Sequence, residues 1–107
     1  MGAAQAPSIA QEAHLLTAAE ALSYVRAGEL SVEKYAQTLL DRIGQRDSQV
    51  HAWAYLDREY VLKQARALDS VPLGKRGPLH GMPIAVKDVI YTKGKKMPAG
   101  LTPKTRV

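Results

Sequence analysis

Lys87 closes an apolar run, Met82-Pro83-Ile84-Ala85-Val86, and is followed at once by Asp88. An ammonium group in that company loses part of its hydration. Burial disfavours the charged form of lysine and can lower its pKa by several units. A lysine tuned in this way can move a proton during catalysis. If the run is a strand, Lys87 shares a face with Ala85 and Val89, and Asp88 points the other way. A purely structural role fits the same pattern, with Lys87 guarding a strand edge against aggregation or pairing with a nearby acid.

The remaining candidates for chemistry are weaker. His80 stands beside Gly81 in a glycine- and proline-rich stretch, without the surroundings of a Ser-His-Asp triad, and suits a role in ordering the loop. His14 and His51 are too scattered to suggest metal-ligand spacing. With no cysteine in the chain, disulfides and thiolate zinc sites are excluded. The five serines are Ser8, Ser23, Ser31, Ser48 and Ser70, and none adjoins a glycine or another serine. Asp88 reads as an acceptor for backbone N–H groups, and Trp53, Tyr55 and Tyr60 as core or partly buried packing.

Around these residues the sequence predicts three helices and two strands. Residues 1–14 have no sustained period and read as a flexible tail. Thr17 and Glu20 have capping-box spacing at the head of a first helix, with Ala18, Ala21, Leu22 and Val25 on one face and Gly28 at its end. Ser31 caps a second helix whose apolar stripe is Val32, Tyr35, Ala36, Leu39, Leu40 and Ile43, opposite a solvated face of Glu33, Lys34, Gln37, Asp41 and Arg42. The two should form a helical hairpin. Residues 50–56 (VHAWAYL) are apolar on both faces and suggest a covered strand. Asp57 caps a third helix that turns Val61, Leu62, Ala65 and Leu68 inward. Residues 70–81 form a loop, and Met82–Ile90 a second strand.

The composition is that of an ordinary globular chain: 107 residues, 46% hydrophobic and 23% charged. The net charge of +5 resides in the last sixteen residues, where Lys93, Lys95, Lys96, Lys104 and Arg106 meet no acid. The preceding 91 residues balance ten basic against ten acidic side chains. The body is therefore not a phosphate-tracking surface, and the tail lacks the aromatics of a stacking platform, so no nucleic-acid partner is expected. No apolar run reaches the roughly 20 residues of a bilayer span, and the expected setting is the cytoplasm, with no membrane partner.

The stretch Gly77-Pro78-Leu79-His80-Gly81-Met82-Pro83-Ile84-Ala85-Val86-Lys87-Asp88 resembles the first block of the amidase-signature family of hydrolases. Both glycines, both prolines, the histidine and the Lys-Asp pair stand in register, and the resemblance reaches from about Leu15 to about Tyr91. It implies an α/β fold: the N-terminal helices and first strands of a mixed sheet flanked by helices, here incomplete, with residues 15–91 as the N-terminal part of the amidase domain. It also implies hydrolysis of carboxamide C–N bonds by a nucleophilic serine, a bridging serine in a cis peptide and a lysine matching Lys87. No cofactor or metal is implied. The family's glycine-flanked pair of serines is missing from these residues, so the chain alone is expected to be inactive. Residues 92–107 form a divergent basic tail, expected to be disordered, whose change in composition suggests an altered reading frame or a retained splice junction.

The implied substrate is a small-molecule amide, acted on by the full-length enzyme. Self-association through the incomplete sheet is a further expectation. Two other readings fit the residues: a non-catalytic interaction fragment that docks on an intact relative, and a small basic adaptor.

Overall fold

The structure, a computed structural model, describes residues 9–87. Its helices are α1 (Ala18–Arg26), α2 (Val32–Val50) and α3 (Arg58–Asp69), with short 3-10 turns at Ala13–Leu15 and Leu73–Lys75. Local capping chemistry sets the helix starts. Thr17 Oγ1 accepts from Glu20 N–H at 3.1 Å, and the Glu20 carboxylate accepts from Thr17 N–H at 2.8 Å. Ser31 Oγ accepts from Lys34 N–H, and Asp57 Oδ1 from Tyr60 N–H, both at 3.0 Å. Each bond satisfies a donor that has no acceptor inside its own helix. After α1 the chain turns at Gly28, where φ is +77°, and Glu29 N–H donates back to Tyr24 O.

The expected α/β architecture is not what forms. Among the described residues there is no strand and no sheet. The predicted strand at 50–56 begins inside α2, which runs two turns past Ile43 to Val50. His51 then stops the helix in the left-handed region, at φ 54°. The Asp47 carboxylate accepts from Ala52 N–H at 2.7 Å and holds the chain after the helix. Residues 82–87 of the second predicted strand have no regular structure, and its end at 88–90 lies outside the described residues. A strand is stabilised by cross-strand pairs and by cover on its faces. Among the described residues neither stretch has a backbone hydrogen-bonding partner strand, so apolar composition alone does not make a sheet.

The core is small: Ala13, Ala21, Val25, Leu30, Val32, Tyr35, Ala36, Leu40, Leu62 and Ala65 are buried. The chief helix pair is α2 with α3, and α2 also packs on the first 3-10 turn. The expected α1–α2 hairpin is thus not the main packing unit. Tyr35 is buried, and its desolvation raises the hydroxyl pKa above the ordinary 10.0. The packing extends N-terminally into the stretch read as tail. Ala13 is fully buried, Ile9 and Ala10 pack on the core, and Thr38 Oγ1 donates to Ala10 O at 2.7 Å. The face of α2 read as merely solvated carries two bonds to α3, Glu33 with Arg66 at 2.8 Å and Asp41 with Arg58 at 2.6 Å. The basic segment 92–107 and Asp88 lie outside the described residues.

Two glycines separate helix propensity from close packing. Gly44 lies within α2, and a Cβ there would meet nothing within 4 Å. Gly44→Ala is therefore expected to stabilise the chain by about 1 kcal/mol. At Gly81, where φ is +88°, a Cβ would fall 2.7 Å from Val32 Cγ2. Gly81→Ala should cost on the order of 1–3 kcal/mol through strain and overlap. Urea midpoints of the two variants should move in opposite directions, and a neutral Gly81→Ala would contradict the packing described.

Candidate functional site

The loop that leads to Lys87 is tied down where three helix ends meet. At the end of α3, Leu68 O accepts from Val71 N–H and from His80 Nε2, the latter at 2.9 Å. Asp69 O accepts from Arg76 Nη2 at 3.1 Å. Arg76 donates also from Nη1 to Val25 O, in the last turn of α1, at 2.9 Å, and from Nε to Val71 O at 3.0 Å. Carbonyls in the last turn of a helix lack intrahelical donors, so the guanidinium and imidazole supply what these helix ends need. The Asp69 carboxylate meanwhile accepts from Val32 N–H at 2.7 Å and Glu33 N–H at 2.9 Å, at the start of α2.

His80 therefore orders the loop. A carbonyl can only accept, so Nε2 carries the proton in this contact and is not free to act as a base. Beside it, Gly81 lies against Val25 and Val32, where a Cβ would overlap Val32 Cγ2. Met82 N–H donates to Leu79 O at 3.0 Å, and the Met82 side chain packs on the core. Beyond Met82 the chain leaves the core. Ile84 is 82% exposed and Val86 46% exposed, and Lys87 is also exposed. Among the described residues nothing provides the desolvated setting expected for Lys87. The structure keeps Lys87 and His80 in different settings, one open to solvent and one half-buried at the junction. His14 lies in the first 3-10 turn and His51 ends α2. Among the described residues no group of three or more His, Asp or Glu side chains could hold a metal, and no helix is long and apolar enough to cross a membrane.

Trp53, Tyr55 and Tyr60, read as core or partly buried packing, lie outside the buried core and are each about two-fifths exposed. The sequence reading also missed Asp69 and Arg76. One signal was available for Asp69: an acid in the last turn of a helix opposes that helix's own dipole, which points to a use elsewhere. Arg76 gives no such sign, because its acceptors are backbone carbonyls.

Comparison with known proteins adds to this geometry. The sequence model of the Amidase family matches residues 34–106. The chain belongs to that family. It is similar to a glutamyl-tRNA(Gln) amidotransferase subunit of Salinispora arenicola, 46% identical over 90 residues, covering 79% of this chain and 18% of the relative. The protein of the same name from Streptomyces avermitilis is 44% identical over 81 residues, 74% of this chain and 16% of that one. The one from Lysinibacillus sphaericus is 38% identical over 78 residues, 73% and 16%. The chain thus spans less than one fifth of the length of these relatives. No solved structure matches it. The family match runs past Tyr91 through most of the basic segment.

The junction can be tested by comparing two kinds of charged contact. Asp69→Ala removes both bonds to the start of α2 and should cost about 1.5–3 kcal/mol, the scale of hydrogen bonds to a charged group. Arg58→Ala breaks an exposed pair with Asp41 and should cost under about 1 kcal/mol. Urea denaturation gives both values, and amide exchange at Val32 and Glu33 should quicken only in the Asp69 variant.

Proposed function

We propose that this chain supplies the lysine-bearing segment of an amidase that cleaves carboxamide C–N bonds, with Lys87 as the base of a serine, cis-serine and lysine relay. The observation that carries the reading is the block Gly77–Asp88, in family register inside the matched span 34–106. In this scheme the nucleophilic serine adds to the amide carbon. Its proton passes to the bridging serine, whose own proton goes to the neutral Lys87 amine. Backbone N–H groups of the serine loop hold the oxyanion. Collapse expels ammonia or an amine, which takes the proton back from Lys87. Water then hydrolyses the acyl-serine and releases the carboxylate.

The serine pair is not among these 107 residues, so the chemistry needs residues beyond this sequence. The exposure of Lys87 fits that requirement. A lysine works as a neutral base when its surroundings are dry, and here the cover has to come from the rest of an amidase domain. Small-molecule amides are the proposed substrate class, with the cytoplasm as the proposed setting. A second reading comes from the relatives' name. They are named as subunits of a glutamyl-tRNA(Gln) amidotransferase, which favours passing the released nitrogen to a second substrate within an assembly of several chains. Comparing free ammonia with nitrogen transferred to an acceptor in a reconstituted assembly distinguishes the two.

The purified 107-residue chain should show no turnover of small amides above buffer, since it offers a base without a nucleophile. Turnover that survives repurification and needs Lys87 would refute this. In an enzyme that joins this segment to the family's serine loop, Lys87→Ala should lower kcat by on the order of 10²–10⁴-fold with little change in KM. Lys87→Arg should fail equally, because guanidinium stays protonated. An enzyme that keeps its kcat with either substitution would remove Lys87 from the relay.

A further inference from the structure

Ten large apolar side chains stand exposed among the described residues, and eight fall in two stretches. Val50, Trp53, Tyr55, Leu56 and Tyr60 make the first, and Leu79, Ile84 and Val86 the second. They are not the leavings of an unformed core. The described residues bury ten hydrophobic side chains among themselves, eight of them on the three helices, with no buried polar or charged residue. Charge is also missing where seven of the eight emerge, Tyr60 alone standing beside Asp57, Arg58 and Glu59. Residues 50–56 and 77–86 contain no Asp, Glu, Lys or Arg, in a chain that is 23% charged. Exposed sequence rich in Trp and Tyr and emptied of charge has the composition of an interface core.

We propose that these two stretches are the surface on which the body of an amidase domain docks, meaning the part of the relatives that this chain does not match. Two observations select that occupant. Both stretches lie inside the family match, and the relatives hold more than four fifths of their length beyond what this chain covers. The surface also borders Lys87, whose cover must come from the same body. Docking rests on the proposed amidase reading for the identity of the occupant, and the surface itself rests on exposure and composition.

The chain has a single tryptophan, Trp53, so one label reports on the surface. The intact 107-residue chain carrying 5-fluorotryptophan is co-expressed with the Salinispora arenicola relative from which the matched 90-residue stretch has been removed. The truncated relative should stay soluble and co-purify in equimolar amount, and the fluorine resonance of Trp53 should shift. Tyr55→Asp and Ile84→Asp, at exposed positions that leave the helical core intact, should each weaken the complex about tenfold or more. Leu15→Asp, at a residue 67% exposed outside both stretches, should bind as the unaltered chain does. Lys87→Ala should bind normally while removing turnover. A complex whose turnover ignores Lys87 would sink the catalytic reading and leave the docking surface standing. The docking proposal is overturned if the truncated relative is soluble but unbound, or insoluble with or without the chain. It is equally overturned if Trp53 shifts only with the chain's own concentration, which would assign the surface to a second copy.

Discussion

The Asp69 carboxylate is the contact on which the helical arrangement turns. It stands at the last residue of α3 and accepts from the first two N–H groups of α2, while Ser31 takes the third. Negative charge at the start of α2 lies at the favourable end of that helix's dipole, whereas at the end of α3 it opposes its own helix. The carboxylate is therefore favourable only when α2 and α3 come together. A helix as short as the 12-residue α3 is marginal in water when isolated, so the contact links its formation to tertiary structure. The same corner then receives Arg76 and His80, and through them the loop that precedes Lys87.

Legibility in the sequence followed the range of the interaction. The caps at Thr17, Ser31 and Asp57 act within three residues, and their chemistry is written in the side chains themselves. The buried positions of α2 and α3 were equally readable, because a helix repeats its face. The two strands were not, since a strand is defined by a partner, and residues 50–56 and 82–87 find none among the described residues. Asp69 and Arg76 escaped for another reason: side chains that bind distant backbone leave no period to detect. Lys87 was legible as a motif, while its exposure was not, because a run of apolar neighbours says nothing of what lies opposite.

The division of apolar residues has a physical sense. Four of the ten buried residues are alanines, so the helices approach closely around a small core. Larger side chains, among them Trp53 and Tyr55, stay outside it. A chain that buried them internally would gain apolar stabilisation, roughly 1.5–3 kcal/mol for a fully buried large side chain, and would have nothing left to offer another surface. Keeping them outside makes this segment a modest folding unit and an adhesive one.

The Arg76 guanidinium reads main chain rather than side chains. Its three acceptors are the carbonyls of Val25, Asp69 and Val71, and every residue type presents the same carbonyl. Positions 25 and 71 can therefore change identity without loosening this tie, so long as the backbone path holds. Paired substitutions linking those positions to 76 would leave no trace of it in related sequences. A lock of this kind is visible only in atomic geometry, and its single point of failure is the arginine itself.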